Sequence, residues 1–439
     1  MLNKIEFIRF YFIEMINLRG LSMFLQTLFI LCSETIMFKL GFTKKNDCFI
    51  NVTTKLSKIN MFYIKIFQWF SHAQSIDAEV KEYFSQFADN VGFEHSEIDY
   101  EALLKLYIMS QERNEILKID SLKPISSGTI ALVFKGYLND KPIVVKLLRK
   151  NIKQNIDDAI SLFNYLIGVV NCLPLGIPIN FNDAIECQKS KIIEQSDFLN
   201  EVKNIEMYQS HFKKSKIVRI PTVYKDYTER INNLIVMEYL DGRKLIDVPS
   251  EERSEYLSIL AKVNVNGYFK YGIFHGDTHP GNVIFIKEQE ENQDPIYKIG
   301  LIDYGTIGTL TTEEQSFIYK FLVQYVECNL DGYLGILIDF IKGTNHQLKK
   351  ENFINEIREL KNSGVMLKNN ELTHYDFFII INLARKYKIK VQPGIHTLFL
   401  AVISGLNLID NLVDKEKNQT LKVMFKKAFN ELLPKKLCL

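Results

Sequence analysis

One pair of polar segments constrains this chain more than any other feature. The first, residues 275–282, reads H-G-D-T-H-P-G-N and places Asp277 five residues before Asn282. The second begins at Asp303 and reads D-Y-G, about twenty residues on and after an apolar run. The amide oxygen of Asn282 and the carboxylate of Asp303 are hard ligands of the kind that Mg²⁺ takes beside phosphates. The carboxylate of Asp277 can accept or orient a hydroxyl proton. The pattern therefore predicts phosphoryl-transfer chemistry.

A β-hairpin whose polar turns collect aspartate and asparagine is the alternative. The five-residue spacing, the glycine before Asn282, the D-Y-G and the flanking apolar runs occur together, which favours phosphoryl transfer. We expect His275 and His279 to brace the loop by hydrogen bonds.

The composition is that of a folded protein with a large core. The chain has 439 residues, 47% of them hydrophobic and 12% aromatic. A net charge of +2, with no Lys/Arg run interleaved with aromatics, gives no reason to expect a nucleic-acid partner. The six cysteines form no C-x-x-C pair and no His/Cys cluster with metal spacing, which is typical of free thiols in a reducing compartment. The sequence sets no oligomeric state.

Residues 21–38 carry a membrane signal. They are mostly apolar, with Glu34 as the only charge, and approach the ~20 residues that a membrane-crossing helix needs. Lysines follow at 39, 44, 45, 55 and 58, against Asp47 alone, which favours an anionic membrane face. A buried helix of the folded protein fits the segment equally well. We expect a membrane-associated intracellular protein, with both readings of this segment open and the compartment unassigned.

Hydrophobic periodicity divides the chain into helical and β-rich stretches. It predicts helices within 61–120, the last of them over 100–117, and a β-hairpin turning at Asn139–Lys141. Beyond the hairpin it predicts helices at 155–171, 191–211 and 251–271, strands at 216–225 and 233–240, and helices after about residue 311.

These elements predict an α+β, two-lobed protein-kinase-like fold: a small mixed β N-lobe, a mostly helical C-lobe and an N-terminal helical extension. The predicted domains are an apolar and basic leader at 1–60, the helical extension at 61–120, the N-lobe with a helical insert at 121–240 and the C-lobe at 241–439.

A nucleotide site is predicted in the N-lobe. Lys146 ends an apolar strand, where it would reach the phosphates of ATP with Glu201 as its ion-pair partner. The loop Ser126-Ser127-Gly128-Thr129 would cover those phosphates, with Mg²⁺ held by Asn282 and Asp303. The backbone at Glu238 and Tyr239, where the lobes join, would hold adenine. A solvated lysine and an ordinary serine-glycine turn are the alternatives for the first two.

The motifs resemble those of the UbiB/AarF-like atypical kinases, which are associated with coenzyme Q (ubiquinone) synthesis. The resemblance runs from about residue 61 to past 320. The loop at 275–282 matches that family's H-x-D-x-H-P-G-N fully. Its K-x-G-Q motif is matched by Lys65 and Gln68, with phenylalanine for glycine, and its E-x-D motif by Gln195 and Asp197, with glutamine for glutamate.

The resemblance implies an atypical kinase or ATPase that binds Mg-ATP. It also implies an occluded peptide-docking surface, and action at a membrane with lipid or prenyl-quinone intermediates as partners. Gly128 stands where the family has alanine, so we expect ATP binding to be less restrained here. Gln195 removes one carboxylate that the family can direct at Lys65 or metal.

Two other functions stay open. A small-molecule phosphotransferase of the aminoglycoside or choline kinase type shares an H-G-D-x-H-x-G-N loop. A non-catalytic nucleotide-binding scaffold would carry the same residues without turnover.

Overall fold

Residues 18–60, 91–172, 192–289, 293–327, 347–366 and 374–387 are described by a computed structural model, together with a few single positions between and after these ranges. The chain divides into two compact units. The first comprises residues 1–103, 123–133 and 146–196, and the second comprises 104–122, 134–145 and 197–439. The four predicted domains stay a prediction.

The N-terminal half of the described chain contains helices and a small set of strands. In chain order they are α1 (Leu18–Lys39), α2 (Lys45–Ile59), α3 (Tyr100–Glu112), β1 (Leu117–Ile119), β2 (Ser126–Ser127), β3 (Ala131–Leu138), β4 (Lys141–Leu148), α4 (Ile152–Cys172), α5 (Phe198–Phe212), β5 (Val218–Arg219), α6 (Lys225–Arg230) and β6 (Leu234–Glu238).

The remaining elements are α7 (Arg253–Asn266), β7 (Ile273–His275), β8 (Val283–Glu288), β9 (Ile296–Leu301), β10 (Ile307–Thr309), α8 (Thr312–Val326), α9 (Gln347–Asn362) and α10 (His374–Lys386). A π-helical turn, Gly267–Tyr271, joins α7 to β7, and a 3₁₀ turn, Pro280–Asn282, precedes β8. Mixed helices and mainly antiparallel strands confirm the α+β prediction.

In the first unit, α1 packs against α2 and α4 through small and polar residues. Gly20, Thr27 and Glu34 recur every seven residues, so they share one helix face, and all three are buried. Thr27 hydrogen-bonds the Tyr63 hydroxyl at 2.7 Å, and Glu34 pairs with Lys55 at 2.5 Å. The helix thus buries its polar stripe and turns apolar side chains outward.

In the second unit, strands lie in the order β1-β3-β4-β6, with the ends of β3 and β4 continuing into the first unit. The predicted hairpin is confirmed. Its two-residue turn, Asn139-Asp140, has φ angles of +49° and +63°. Both values suit a type I′ turn, which asparagine and aspartate tolerate and which matches the twist of the two strands.

Three predicted elements are wrong in extent. The helix expected to reach residue 117 ends at Glu112, where Asn114 takes a φ of +54° and the chain enters β1. The helix expected over 191–211 is broken at Asp197, whose carboxylate caps α5 by accepting from the Asn200 amide at 3.1 Å.

The strand expected over 216–225 is only Val218–Arg219, and helix α6 starts at Lys225. The helices expected at 155–171 and 251–271 are confirmed.

By length and composition, α1 would be able to cross a membrane; within the described ranges it is the one helix of that kind. A core helix or a signal sequence would pass the same test.

Gly20 fixes the distance between α1 and α4. A Cβ on Gly20 would lie 2.6 Å from Ser161 Cβ, closer than real side chains approach. We therefore expect Gly20→Val to separate the helices and lower the free energy of unfolding by roughly 1–3 kcal/mol relative to its control. Chemical denaturation measures the change. Cys32→Val, at an exposed position of the same helix, controls for the helix propensity of valine. Equal losses in both variants would show that the close approach is not needed.

Candidate functional site

The segment 275–282, predicted to be a catalytic loop and called the catalytic loop below, is held by hydrogen bonds between its own side chains and its backbone. The Asp277 amide donates to Nδ1 of His275 at 3.2 Å, and the Asp277 carbonyl accepts from Nδ2 of Asn282 at 3.0 Å. The Gly281 amide donates to Nδ1 of His279 at 3.1 Å. Both histidines therefore brace the loop, and the amide nitrogen of Asn282 is used, which turns its oxygen away from Asp277.

His275 also joins this loop to the second motif. Its Nδ1 accepts from an amide, so its Nε2 carries the proton and donates to the carbonyl of Asp303 at 2.5 Å. The ring is buried, and this burial is the main cause that lowers the pKa of His275, against the attraction of Asp303 and Asp277. The imidazole is therefore a neutral link between the two acidic segments.

The register of one hairpin brings the two expected metal ligands together. Strands β8 and β9 pair antiparallel from Val283 opposite Leu301 onward. One step beyond the ladder, the Ile302 amide donates to the Asn282 carbonyl at 3.2 Å. Asn282 and Asp303 thus leave neighbouring strand ends side by side. The sequence predicted these two residues as metal ligands, and that role stays a prediction; the pairing accounts for their closeness.

Helix α5 holds the D-Y-G backbone from both sides. The Tyr304 amide donates to Oε1 of Glu201 at 3.2 Å, and the Tyr304 carbonyl accepts from Nδ2 of Asn204 at 2.9 Å. Glu201 and Asn204 lie three residues apart, on one helix face. The Gly305 amide donates to Oδ1 of Asp303 at 2.9 Å, which fixes the carboxylate relative to that backbone.

The Tyr304 side chain fills the space behind the loop. It is fully buried, with its ring centroid 5.3 Å from that of Tyr208 on α5 and 5.8 Å from that of His275. Burial raises the pKa of the Tyr304 hydroxyl well above its usual range. Aromatic packing therefore ties α5, the catalytic loop and the D-Y-G segment into one cluster.

Gly276 lets the two motifs approach. Its amide donates to the Thr306 carbonyl at 2.8 Å, and a Cβ on Gly276 would lie 2.4 Å from Thr306 Cγ2. A side chain at this position would push the catalytic loop away from the segment after Asp303, so the glycine of H-G-D has a steric reason.

Lys244 is a contact that the sequence did not indicate. Its Nζ donates to the Gly281 carbonyl at 2.7 Å, next to Asn282. It follows β6 in an irregular segment with no motif of its own, so only the folded chain reveals it.

The expected phosphate loop and its lysine lie in the first unit. Ser126 and Ser127 pair with β3, and the Gly128 amide closes a tight turn onto the Ala131 carbonyl at 2.9 Å. Lys146, on β4, is buried. A Cβ on Gly128 would meet nothing closer than the Ala131 carbonyl at 3.4 Å, so alanine would fit here.

One predicted phosphate contact has to be corrected. The Ser127 side chain is buried, its hydroxyl donates to the Val91 carbonyl, and it accepts from Arg149 at 2.8 Å. This hydroxyl holds protein groups together and is not presented to a phosphate. Ser126 and Thr129 keep their predicted role as a proposal.

The expected adenine segment is also partly occupied. The Glu238 amide donates to the Thr222 carbonyl at 2.8 Å, and the Tyr239 amide donates to the Pro142 carbonyl at 3.1 Å. The Glu238 carboxylate binds Arg219 at 2.6 Å. The amides of Glu238 and Tyr239 are therefore used within the protein rather than offered to a ligand.

The Glu238 and Tyr239 side chains line an open groove of about 650 Å³. The groove is formed by Lys141–Pro142, the end of α5 and the segment 215–224. The catalytic-loop residues do not line this groove.

The family-specific positions give mixed results. Lys65 and Gln68 lie outside the described residues. Asp197 caps α5, as described above, which gives it a structural task whatever else it does. Gln195 is half-buried in the first unit.

The donor set fits a magnesium ion shared with a nucleotide better than an ion bound by protein alone. No group of three or more His, Cys, Asp or Glu side chains that would hold a metal ion occurs within the described ranges. Asn282 and Asp303 offer two hard oxygens, and Mg²⁺ commonly takes one or two protein ligands and completes its shell with phosphates and water.

A family model described as the ABC1 atypical kinase-like domain matches residues 107–335, just over half of the chain. Among solved structures, the chain is similar to Rv3197 of Mycobacterium tuberculosis in complex with erythromycin, at 15% identity over 72% of this chain and 78% of that one, with a TM-score of 0.45.

It is also similar to the Rio2 kinase of Chaetomium thermophilum in its ADP/Mg²⁺-phosphoaspartate complex, at 13% identity over 75% and 74% of the two chains, with a TM-score of 0.30. At such scores neither structure supports an assignment, whereas the family model does.

Protonation of His275 should destabilise the fold. The unfolded imidazole binds a proton near pH 6.5, whereas the folded one stays neutral to lower pH, so its contribution to stability is lost as pH falls below about 6.5. We expect the difference in free energy of unfolding between the unchanged chain and His275→Gln to shrink by on the order of 1 kcal/mol from pH 7 to pH 5. Denaturant titrations measure it, with the exposed His95→Gln as control. A difference that stays constant or grows toward pH 5 would contradict the neutral ring.

Proposed function

The chain belongs to the ABC1 atypical kinase-like family, and on that premise we propose that it is a Mg-ATP-dependent kinase or ATPase acting at a membrane in lipid or prenyl-quinone (coenzyme Q) metabolism. The match to this family's model confirms the predicted relationship to the UbiB/AarF-like kinases and the kinase-like α+β fold.

One observation carries the proposal. His275 donates to the Asp303 carbonyl, and the Ile302 amide donates to the Asn282 carbonyl, so the two segments are bonded to each other and Asn282 and Asp303 come to neighbouring strand ends. Here His275 and Asn204 supply the bonds that hold the turns.

Asp277 has one role in the proposed reaction, and Asn282 and Asp303 share another. Asp277 orients or accepts the proton of the attacking hydroxyl or water. Asn282 and Asp303 hold Mg²⁺, which when bound neutralises charge on the phosphates of ATP. The loop positions these groups in advance, which lowers the cost of arranging them in the transition state.

Two further groups are proposed to bind the nucleotide. Lys146 would bind the phosphates of ATP, and its pairing with Glu201 stays a prediction from the sequence. The turn at Ser126, Gly128 and Thr129 would approach the phosphates through its backbone.

The proposed membrane location rests on the outward face of α1. Phe29 is 73% exposed, Leu25 57% and Ile36 55%, and these side chains recur at helical spacing on the face opposite Thr27 and Glu34. Exposed lysines at 39, 44 and 58 lie around the α1–α2 hairpin. An apolar helix face with a basic rim suits the surface of an anionic membrane. Because the polar stripe of α1 packs inside the unit, the helix would lie on the membrane rather than cross it.

The alternatives differ in their acceptor. Turnover of an aminoglycoside-like alcohol would favour the small-molecule phosphotransferase. Binding of Mg-ATP without turnover on any acceptor or water would favour the scaffold.

Asp303→Asn should separate metal-dependent binding from binding of the nucleotide alone. The amide keeps the size of the side chain but weakens the hold on Mg²⁺, so we expect the affinity for ATP in the presence of Mg²⁺ to fall at least about tenfold. Titration with a fluorescent ATP analogue measures the affinity, with and without prenyl-quinone-like lipids. Asp247→Asn, at an exposed position in the second unit, is the matched control. Equal affinities in the unchanged chain and Asp303→Asn would remove Asp303 as a metal ligand.

The double variant Phe29→Ser/Ile36→Ser should weaken membrane binding. Each substitution removes an apolar side chain worth up to about 1.5–3 kcal/mol on burial, so we expect at least about a tenfold loss of vesicle affinity. Flotation of the full chain with phosphatidylcholine vesicles, with and without phosphatidylserine, measures it. The control Leu104→Ser/Ile108→Ser removes two exposed apolar side chains of α3. The proposed membrane face is contradicted if both double variants bind vesicles like the unchanged chain. It is also contradicted if phosphatidylserine does not increase vesicle binding by the unchanged chain. Dimer dissociation caused by the α1 variant would point to a second copy as the occupant.

A further inference from the structure

Arg149 is one of the most completely buried charged side chains in the described ranges. It follows β4, three residues after Lys146, and its side chain is only 1% exposed. A buried guanidinium has five N–H donors to satisfy, so its position is fixed by whatever accepts them.

Its acceptors come from two separate stretches of chain. Nη1 donates to Oε2 of Glu97 at 2.6 Å, and Nη2 donates to the Gly92 carbonyl at 3.1 Å. Nε donates to the Gly128 carbonyl at 2.9 Å, and Nη2 also donates to Oγ of Ser127 at 2.8 Å. One side chain therefore connects the segment 91–97 to the turn at 127–128.

Backbone bonds reinforce the same connection. The Val91 amide donates to the Ser127 carbonyl at 2.7 Å, while the Ser127 hydroxyl donates back to the Val91 carbonyl. The Lys150 amide donates to the Glu97 carbonyl at 2.8 Å, and the Arg149 amide donates to the Ile130 carbonyl at 2.9 Å. All of these residues belong to the first unit. The turn is thus fixed to the segment 91–97 and to the end of β4 together.

We propose that Arg149 is a positioning residue for the expected phosphate loop, residues 126–129, and that through Arg149 the segment 91–97 sets the affinity for Mg-ATP. This inference rests on the proposed function. Arg149 donates to the carbonyl of Gly128 and so fixes the position of the turn. Lys146, on β4 just before Arg149, would bind the phosphates. A displacement of 91–97 would move Glu97 and Gly92, and with them the guanidinium and the turn.

Arg149→Lys tests the clamp directly. An ammonium keeps the charge, but one nitrogen cannot reach acceptors spread over Glu97, Gly92 and Gly128 as the planar fork does. We expect about a tenfold weaker affinity for Mg-ATP in the folded full chain and faster amide exchange at residues 126–130 without nucleotide. Arg113→Lys, a surface ion pair with Asp226 in the second unit, is the control and should change neither.

Glu97→Gln provides a second variant in case Arg149→Lys does not fold. The Glu97 side chain is partly exposed, and glutamine keeps its shape while removing the charge that binds Nη1. We expect weaker Mg-ATP binding here too. We also expect the double variant to bind little worse than Arg149→Lys alone, because both substitutions break one network.

The inference is overturned if Glu97→Gln or Arg149→Lys lowers the melting temperature yet leaves the affinity of the folded chain for Mg-ATP unchanged, since Arg149 would then be a purely structural residue. Absence of Mg-ATP binding in the unchanged chain would instead overturn the proposed function, and the nucleotide part of this inference with it. Amide exchange in the nucleotide-free chain is read independently of that outcome: unchanged exchange at 126–130 in Arg149→Lys would overturn the clamp itself.

Discussion

The hold of helix α5 on the Tyr304 peptide is the constraint on which the rest of the acidic site depends. Glu201 accepts from its amide and Asn204 donates to its carbonyl, so one helix face fixes both ends of a single residue. Asp303 and Gly305 flank that residue and cannot move independently of it. Through its bond to the Asp303 carbonyl, His275 fixes the catalytic loop relative to Asp303. The geometry of the site thus follows from a few bonds in a buried, weakly polar environment, where each bond is stronger than in water.

In both units, backbone groups and a few side chains hold the expected ligand-binding loops in place. In the second unit, histidine nitrogens and the Asn282 amide bind the loop, and in the first unit Arg149 binds the turn at 127–128. The Asp303 carboxylate itself accepts from the Gly305 amide, so its position is fixed by the same backbone. His275 and Gly276 are needed for the close approach of the two backbones.

The sequence predicted what depends on local pattern and missed what depends on distant partners. The hairpin at Asn139–Asp140 follows from turn chemistry, and the motif spacing anticipates that Asn282 and Asp303 lie close together. The break at Asp197 was missed because helical periodicity continues across it. Burial of Ser127 and the role of Arg149 have no local signal, since Glu97 lies 52 residues from Arg149. For α1, composition gave a membrane-length helix, but only packing shows that its polar side faces inward.

The proposed function requires that ATP and a magnesium ion bind together, each more tightly than it would alone. Calorimetric titration of ATP into the unchanged full chain, in Mg²⁺ and then in chelator, tests it most directly. With Asn282 and Asp303 as the proposed ligands of the metal, we predict one ATP bound per chain in Mg²⁺ and binding at least about tenfold weaker in chelator. Equal affinity in the two conditions, or no binding of ATP in the presence of Mg²⁺, would contradict it.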